Sequence, residues 1–234
     1  MNLENILITG SSGLVGAPLV TKLLNKSNLI FGIDPVINAE CNENYKHISI
    51  TLNSVEEITN LLEKYDITKI IHTGGISGPM LANENPNIII ENNIFFTMYL
   101  IEAARIFKKI NRFIFCSSIS AYGELAESDT TEDSRFAPEN LYGATKASCD
   151  LLLKKYYENY KLDIISLRLS TIYGHRRSTS CFINDIINSG INNNQITLPF
   201  KSDFCWPYVY VNDVVSCIEK CIFHKKEHFP VCHQ

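Results

Sequence analysis

The sequence has no long hydrophobic run, no paired cysteines and no surplus of positive charge, and each absence closes off a class of function. No stretch approaches the roughly 18 consecutive apolar residues that a membrane-spanning helix needs. Residues Met1–Thr9 lack the basic region, apolar core and small-residue cleavage site of a secretory signal. The eight cysteines (Cys41, Cys116, Cys149, Cys181, Cys205, Cys217, Cys221 and Cys232) include no CxxC pair and no closely spaced Cys/His cluster, so no metal site is expected. Cys217 and Cys221 have helical spacing, which fits two core-facing thiols. Free thiols of this kind suit a reducing compartment, and a cytoplasmic protein is the expectation. With 21 basic residues against 25 acidic ones, the formal charge of -4 gives neither a nucleic-acid footprint nor a polybasic membrane patch.

What is present is an ordinary globular composition, 45% hydrophobic and 20% charged over 234 residues, enough to bury a core. Short apolar runs alternate with longer amphipathic ones. Ile6–Thr9, Leu29–Ile33, His47–Ile50, Lys69–His72, Arg112–Cys116 and Asp163–Leu169 read as strands. Between them, Leu14–Leu24, Val55–Lys64, Asn87–Lys108 and Leu141–Tyr160 read as helices. Repeated strand–helix–strand units predict an α/β protein built on a parallel sheet. The segment Ile119–Pro138 is longer than a usual connection and polar, which marks it as a candidate rim of an active site. After Gly174 the rhythm changes: a helix over Cys181–Ile187, a polar turn at Asn192–Asn194, short strands at Ile196–Leu198 and Tyr208–Val211, and a helix over Asp213–Phe223. His228–Gln234 reads as a short irregular end.

Two motifs carry chemistry. Gly10-Ser11-Ser12-Gly13-Leu14-Val15-Gly16 joins the first strand to the first helix. Its glycines allow a tight turn, backbone approach to a pyrophosphate and close helix packing, while the helix N-terminus offers amides to the anion. Asp34 ends the second strand where a carboxylate would accept from a ribose 2′-hydroxyl, and no arginine follows to receive a 2′-phosphate, so NAD is the expected dinucleotide. The second motif is Tyr142-Gly143-Ala144-Thr145-Lys146. Residues four apart share a helix face, and an ammonium beside a phenol favours the phenolate.

The spacing GxxGxxG together with Tyr142 and Lys146 resembles the short-chain dehydrogenase/reductase superfamily, and in particular its extended branch of NAD-dependent epimerases and dehydratases. Phe113–Gly123 is similar to that branch's catalytic serine segment, Asn93–Thr97 to its asparagine-headed helix, and Leu167–Gly174 and Tyr208–Val214 to two further segments. The resemblance implies a Rossmann-like, doubly wound parallel sheet with a small, apparently shortened C-terminal substrate-binding part. The implied division is 1–174 for the NAD-binding domain, with the catalytic residues, and 175–234 for a short, possibly truncated substrate-binding region. It implies Ser118, Tyr142 and Lys146 as catalytic residues. Tyr142 would exchange a proton with a substrate hydroxyl as hydride passes to or from a nicotinamide, and Ser118 would hydrogen-bond the developing oxyanion. The implied NAD contacts are Gly10, Ser12, Gly13, Leu14, Val15, Gly16, Asp34, Leu52, Thr73, Gly74, Gly75, Asn93, Tyr142, Lys146 and Leu169.

Departures bear mainly on the substrate. Thr51-Leu52 stands where an acidic residue usually precedes the apolar one beside the adenine. Thr171 replaces an asparagine frequent in nucleotide-sugar enzymes. Trp206 replaces an arginine, which argues against a UDP-sugar, although Arg176 and Arg177 are available as replacement charge. The Asp-Glu pair that dehydratases carry after the catalytic hydroxyl is absent from Ser118-Ile119-Ser120, which favours oxidation or epimerisation over elimination. The expected activity is hydride transfer at a hydroxyl-bearing carbon of a sugar, sugar acid or nucleotide-sugar, with a homodimer as the expected assembly. The competing reading is a non-catalytic NAD-binding sensor or partner subunit, or the remnant of a truncated enzyme.

Overall fold

Strand β1 (Asn5–Thr9) is buried along nearly its whole length, and the same is true of β2 (Leu29–Ile33), β4 (Lys69–His72), β5 (Arg112–Ser118) and β6 (Ile164–Leu169). Continuous apolar runs of this kind belong to a parallel sheet covered by helices on both faces. The computed structural model describes residues 4–24, 29–37, 42–49, 53–77, 85–123, 130–195, 206–223 and 231–233. With β3 (Tyr45–Ile48) and β9 (Val231–His233) the strands form a seven-stranded sheet in the order β3-β2-β1-β4-β5-β6-β9, every neighbouring pair parallel. This is a Rossmann-like, doubly wound sheet. A separate two-stranded ribbon pairs β7 (Thr171–Tyr173) with β8 (Tyr208–Tyr210).

Alternation along each strand divides the core in two. Leu7, Ile70, Phe113 and Phe115 face helices α2 (Val55–Lys64), α4 (Phe96–Phe107) and α5 (Leu141–Tyr160). Ile6, Ile8, Ile71, Ile114, Ile165 and Leu167 face α1 (Gly16–Leu24) and α7 (Val211–Phe223). Successive strand residues point to opposite faces, so one apolar run feeds both layers. Cys217 and Cys221 are half-buried against the second layer.

Most elements lie where the sequence places them, with four instructive differences. The segment read as one helix over Asn87–Lys108 is α3 (Pro86–Ile90), a π-helical turn at Glu91–Phe95, and α4. The helix after Gly174 is α6 (Phe182–Ile191), running further than its apolar pattern indicates. Thr171–Tyr173, which the sequence reading assigns to no strand or helix, forms a ribbon of its own with Tyr208–Tyr210. The end of the chain, read as irregular, contains β9, whose Val231, Cys232 and His233 pair with Ser166, Leu167 and Arg168. Three residues are too few to show a period, and the pairing is supplied by the free edge of β6. The strand expected at Ile196–Leu198 lies outside the described residues.

A buried polar cluster ties α5 to the sheet. Arg168 Nε donates to Asp150 Oδ2 at 2.9 Å, with side chains only 6% and 1% exposed. Ser117 and Ser166 donate to the same carboxylate. Arg168 also reaches the Tyr122 hydroxyl and the Glu132 carbonyl, and its guanidinium lies over the rings of Tyr122 and Phe136. One cation thereby fastens the polar rim segment to β6. Removing one partner of a buried pair strands the other charge, so Asp150→Ala is expected to cost about 3–5 kcal/mol in urea denaturation. Asp66→Ala, which breaks a pair with Lys109 whose side chains are 64% and 63% exposed, is expected to stay within about 1 kcal/mol.

Candidate active site

Parallel sheets open a crevice where neighbouring strands send their connections to opposite faces, outside the carboxyl ends of the strands. Here that point lies between β1 and β4. Gly10 follows β1 with φ +67°, and a Cβ on it would come within 2.7 Å of Gly74 Cα. Gly16 opens α1 so close beneath that a Cβ there would sit 2.0 Å from the Gly10 carbonyl. Helix, strand end and the chain after β4 therefore meet backbone to backbone.

The Asp34 carboxylate closes the second side of the loop. Its two oxygens accept from the Ser12 and Val36 amides at 3.1 and 2.9 Å. Thr73 Oγ1 donates to the Thr9 carbonyl at 2.7 Å, fixing the chain that leads to Gly74 and Gly75.

A hydrogen-bonded line runs beneath the cleft and has a direction. Thr97 Oγ1 donates to the Asn93 carbonyl at 2.6 Å, so at 2.8 Å from His72 Nε2 it must accept. His72 then carries its proton on Nε2, and Nδ1 accepts from Thr9 Oγ1 at 2.6 Å. Burial, helped by the charge of Lys146, pushes the imidazole down to about 3. The Asn93 carbonyl, in the π-turn, accepts from the Thr97 hydroxyl and also from the Cys149 thiol. The Asn93 side chain is buried: it bonds the amide and carbonyl of Ile76 and the Thr145 hydroxyl.

Asn140 starts α5. Its Oδ1 accepts from the Gly143 amide at 2.8 Å, an N-cap that sets Tyr142 in the first helical turn. One turn later Lys146 is buried, its Nζ donating to the Cys116 carbonyl at 2.9 Å and lying 5.9 Å from the centre of the Tyr142 ring. Ser118 ends β5, where its Oγ accepts from the Ser120 amide at 3.1 Å. The Cys116 thiol, pushed up to about 12 by burial, stays protonated beside them.

These parts line one cleft of about 1250 Å³, above the roughly 300–1,000 Å³ of an ordinary small-molecule pocket. Ser118, Tyr142 and Lys146 stand on its wall with Gly10, Ser12, Gly13, Leu14, Val15, Gly16, Asp34, Thr73, Gly74, Gly75 and Leu169. Asn93 is not on that wall and braces the Ile76 segment from behind. Leu52 lies outside the described residues. The wall also carries Phe95, Phe96, Tyr99, Ser170 and Ile172, which the motifs do not single out. The relay through His72 and the Asp150–Arg168 pair went unread too, although an arginine inside an apolar strand and an aspartate one turn after Lys146 are visible signals. No helix among the described residues is long and apolar enough to cross a membrane.

Comparison with known proteins agrees with this geometry. The sequence model of the NAD dependent epimerase/dehydratase family matches residues 6–232. The dTDP-D-glucose 4,6-dehydratase of Dictyostelium discoideum is 28% identical over 93% of this chain, which spans 55% of that protein's length. The UDP-glucuronic acid 4-epimerase of Bacillus cereus, solved with UDP-glucuronic acid and NAD, superposes with a TM-score of 0.85 at 26% identity, covering 98% of this chain and 76% of that one. The UDP-N-acetylglucosamine 4-epimerase of Methanobrevibacter ruminantium superposes at 0.87 with 23% identity, over 100% of this chain and 77% of its own, a likeness of fold.

The buried imidazole has a consequence for pH. A histidine that titrates near 6.5 unfolded and near 3 folded binds more protons unfolded, so stability is full above about 6.5 and falls as pH drops toward 3, by at most about 1.4 kcal/mol per pH unit. An NMR titration should find the His72 ring neutral at pH 5. A midpoint between 6 and 7 would overturn the buried, doubly bonded assignment.

Proposed function

Because the chain belongs to the NAD dependent epimerase/dehydratase family, we propose that it binds NAD and carries out hydride transfer at a hydroxyl-bearing carbon of a sugar, sugar acid or nucleotide-sugar, as an epimerase or dehydrogenase. The observation that carries this reading is the convergence of Ser118, Tyr142 and Lys146 on the cleft that also exposes the Gly10–Gly16 loop and Asp34. Segment 1–174 holds the cofactor-binding and catalytic residues, and segment 175–234 contributes to the substrate side.

The residues present fit the dinucleotide. Gly10, Gly13 and Gly16 line the cleft where α1 begins and present no side chain to it, so the loop backbone can come close to a pyrophosphate there. Asp34 uses one acceptor position of each oxygen on loop amides, and a carboxylate has about four such positions. The remainder serve ribose hydroxyls, while the negative charge disfavours a 2′-phosphate. Bound NAD supplies the hydride acceptor and, on return, the donor.

The chain's own groups handle the proton. Tyr142 takes it from the substrate hydroxyl as the carbon is oxidised and gives it back on reduction. Lys146 spends one N–H on the Cys116 carbonyl, which orients its ammonium beside the phenol and leaves donors for ribose. Ser118 donates to the oxygen that carries developing negative charge. No acid follows Ser118 within Ile119-Ser120, so elimination lacks a proton carrier at that point and epimerisation or oxidation is the better assignment.

A second copy of the chain is the proposed partner. The adjoining helices α3–α4 and α5 expose Ile88, Phe95, Leu151 and Leu152 at 39%, 48%, 55% and 41%, and water-facing apolar groups on paired helices gain by association. Light scattering should give twice the 26.5 kDa chain mass, and Leu152→Glu should return a monomer. A monomeric wild type would remove this assembly.

For the chemistry, Tyr142→Phe is expected to keep NAD binding in calorimetry and to lower turnover on a responsive sugar substrate by about 10² to 10⁴. Turnover at the wild-type rate in that variant would take Tyr142 out of the mechanism.

A further inference from the structure

The wall of the cleft beyond Ser118 is chemically unlike the cofactor side. Leu169 pairs with Ser118 across β6 and β5, so Ser170 and Thr171 continue the chain directly past the catalytic end. Thr171 pairs with Tyr208 in the small ribbon, which brings Trp206, two residues upstream, to the same edge. The indole N–H donates to Thr171 Oγ1 at 2.7 Å. Two of the positions at which the sequence departs from nucleotide-sugar enzymes are thus in contact with each other. Held at its nitrogen, the ring still exposes 46% of its surface, and Trp206 lines the cleft.

The remaining polar groups point the same way. Ser170 is 8% exposed and lines the cleft, but its hydroxyl is itself buried, with no hydrogen-bond partner among the described residues, so the hydroxyl that this wall offers to a ligand is that of Thr171. The cations lining the cleft among the described residues are Lys146, Arg176 and Arg177. Lys146 belongs to the catalytic end. Arg177 donates to the carbonyls of Thr179, Ile172 and Ser180, so its guanidinium braces its own loop. Arg176 is exposed, on a left-handed turn at φ 73°. Among the described residues no rigid two-pronged cation of the kind that grips phosphate is held free on this wall, whereas an aromatic face with a hydroxyl beside it is.

We propose that Thr171 and Trp206, beside Ser170, form a substrate subsite that takes a hydroxyl-bearing sugar ring, stacked on the indole and hydrogen-bonded by the Thr171 hydroxyl, in place of a cation-held phosphate. The proposal rests on the cleft being the sugar-oxidising site described above. It adds that affinity at this wall comes from ring contact and not from charge.

Trp206 is the sequence's single tryptophan, so its emission reports on this wall alone. The protein is titrated with methyl β-D-glucopyranoside, D-glucuronate and UDP, with and without NAD, while calorimetry follows NAD binding separately. The expected result is a saturable emission change with the glycoside and the glucuronate and none with UDP. Thr171→Val, which keeps the reporter and removes its anchor, should weaken sugar binding roughly fivefold, and Thr171→Ser should restore it. A response to UDP alone, no response to any of the three, or unaltered affinity in Thr171→Val overturns the subsite. Loss of NAD binding in calorimetry would instead strike the proposed function, and the emission titration without NAD still decides the subsite.

Discussion

The whole arrangement depends on the contact between the backbones of Gly10 and Gly74. A side chain at Gly10 would lie 2.7 Å from the Gly74 Cα, a separation no Cβ tolerates, so the carboxyl ends of β1 and β4 can approach only because nothing projects between them. That approach sets the mouth of the crevice and lets α1 begin immediately beneath the loop. Gly16 repeats the requirement from the helix side, against the carbonyl of Gly10 itself. Glycine costs conformational entropy on folding, and here the cost is accepted at points where any larger residue would push the helix away from the strand.

Such a junction is held in place from below by polar groups that cannot reach water. The Thr9–His72–Thr97–Asn93 line crosses from β1 through β4 to the π-turn, each ring nitrogen used once and the Thr97 hydroxyl both accepting and donating, so the line has a fixed direction. Its value is less the net energy of each bond than the penalty for breaking one, because a buried donor left alone loses its full solvation. The Asp150–Arg168 pair does the same on the far side of α5, where it fixes the helix that carries Tyr142 and Lys146 against β5 and β6. Two buried networks therefore bracket the cleft, one under the dinucleotide loop and one behind the tyrosine helix.

Much of this was legible in the sequence, and the limits are physical. Leu29–Ile33 and Lys69–His72 were located to the residue, the first because Asp34-Pro35 stops its apolar run and both because their central positions are buried and apolar. Leu141–Tyr160 likewise matches α5 at both ends, and the structure adds a local cap bond from Asn140 at its start. What local pattern could not carry was partnership. The π-turn at Glu91–Phe95 widens a helix whose side-chain periodicity looks ordinary, and its Asn93 carbonyl meets Cys149 on α5, a contact no local pattern carries. The same reason hid β9, whose three residues become a strand only beside β6. Asn93 was read as a cofactor contact from its place in a motif, yet its amide is consumed by Ile76 and Thr145.

The cleft consequently has two halves specified in different ways. Its cofactor half is fixed by backbone geometry: glycines without room for a Cβ, a helix start, and a carboxylate already oriented by two amides. A side chain larger than hydrogen at Gly10 or Gly16 would collide with backbone, which is why the glycine spacing is the clearest local signal in the sequence. Its substrate half is made of side chains on a three-residue ribbon and an adjoining turn, with Trp206 fastened by one hydrogen bond to Thr171. Side chains there can be exchanged without disturbing the sheet, since β7 and β8 stand outside it. A fold can keep one cofactor and change its substrate only if the two halves are mechanically separate, and the boundary here falls between Leu169, which ends a strand of the main sheet, and Thr171, which begins the ribbon.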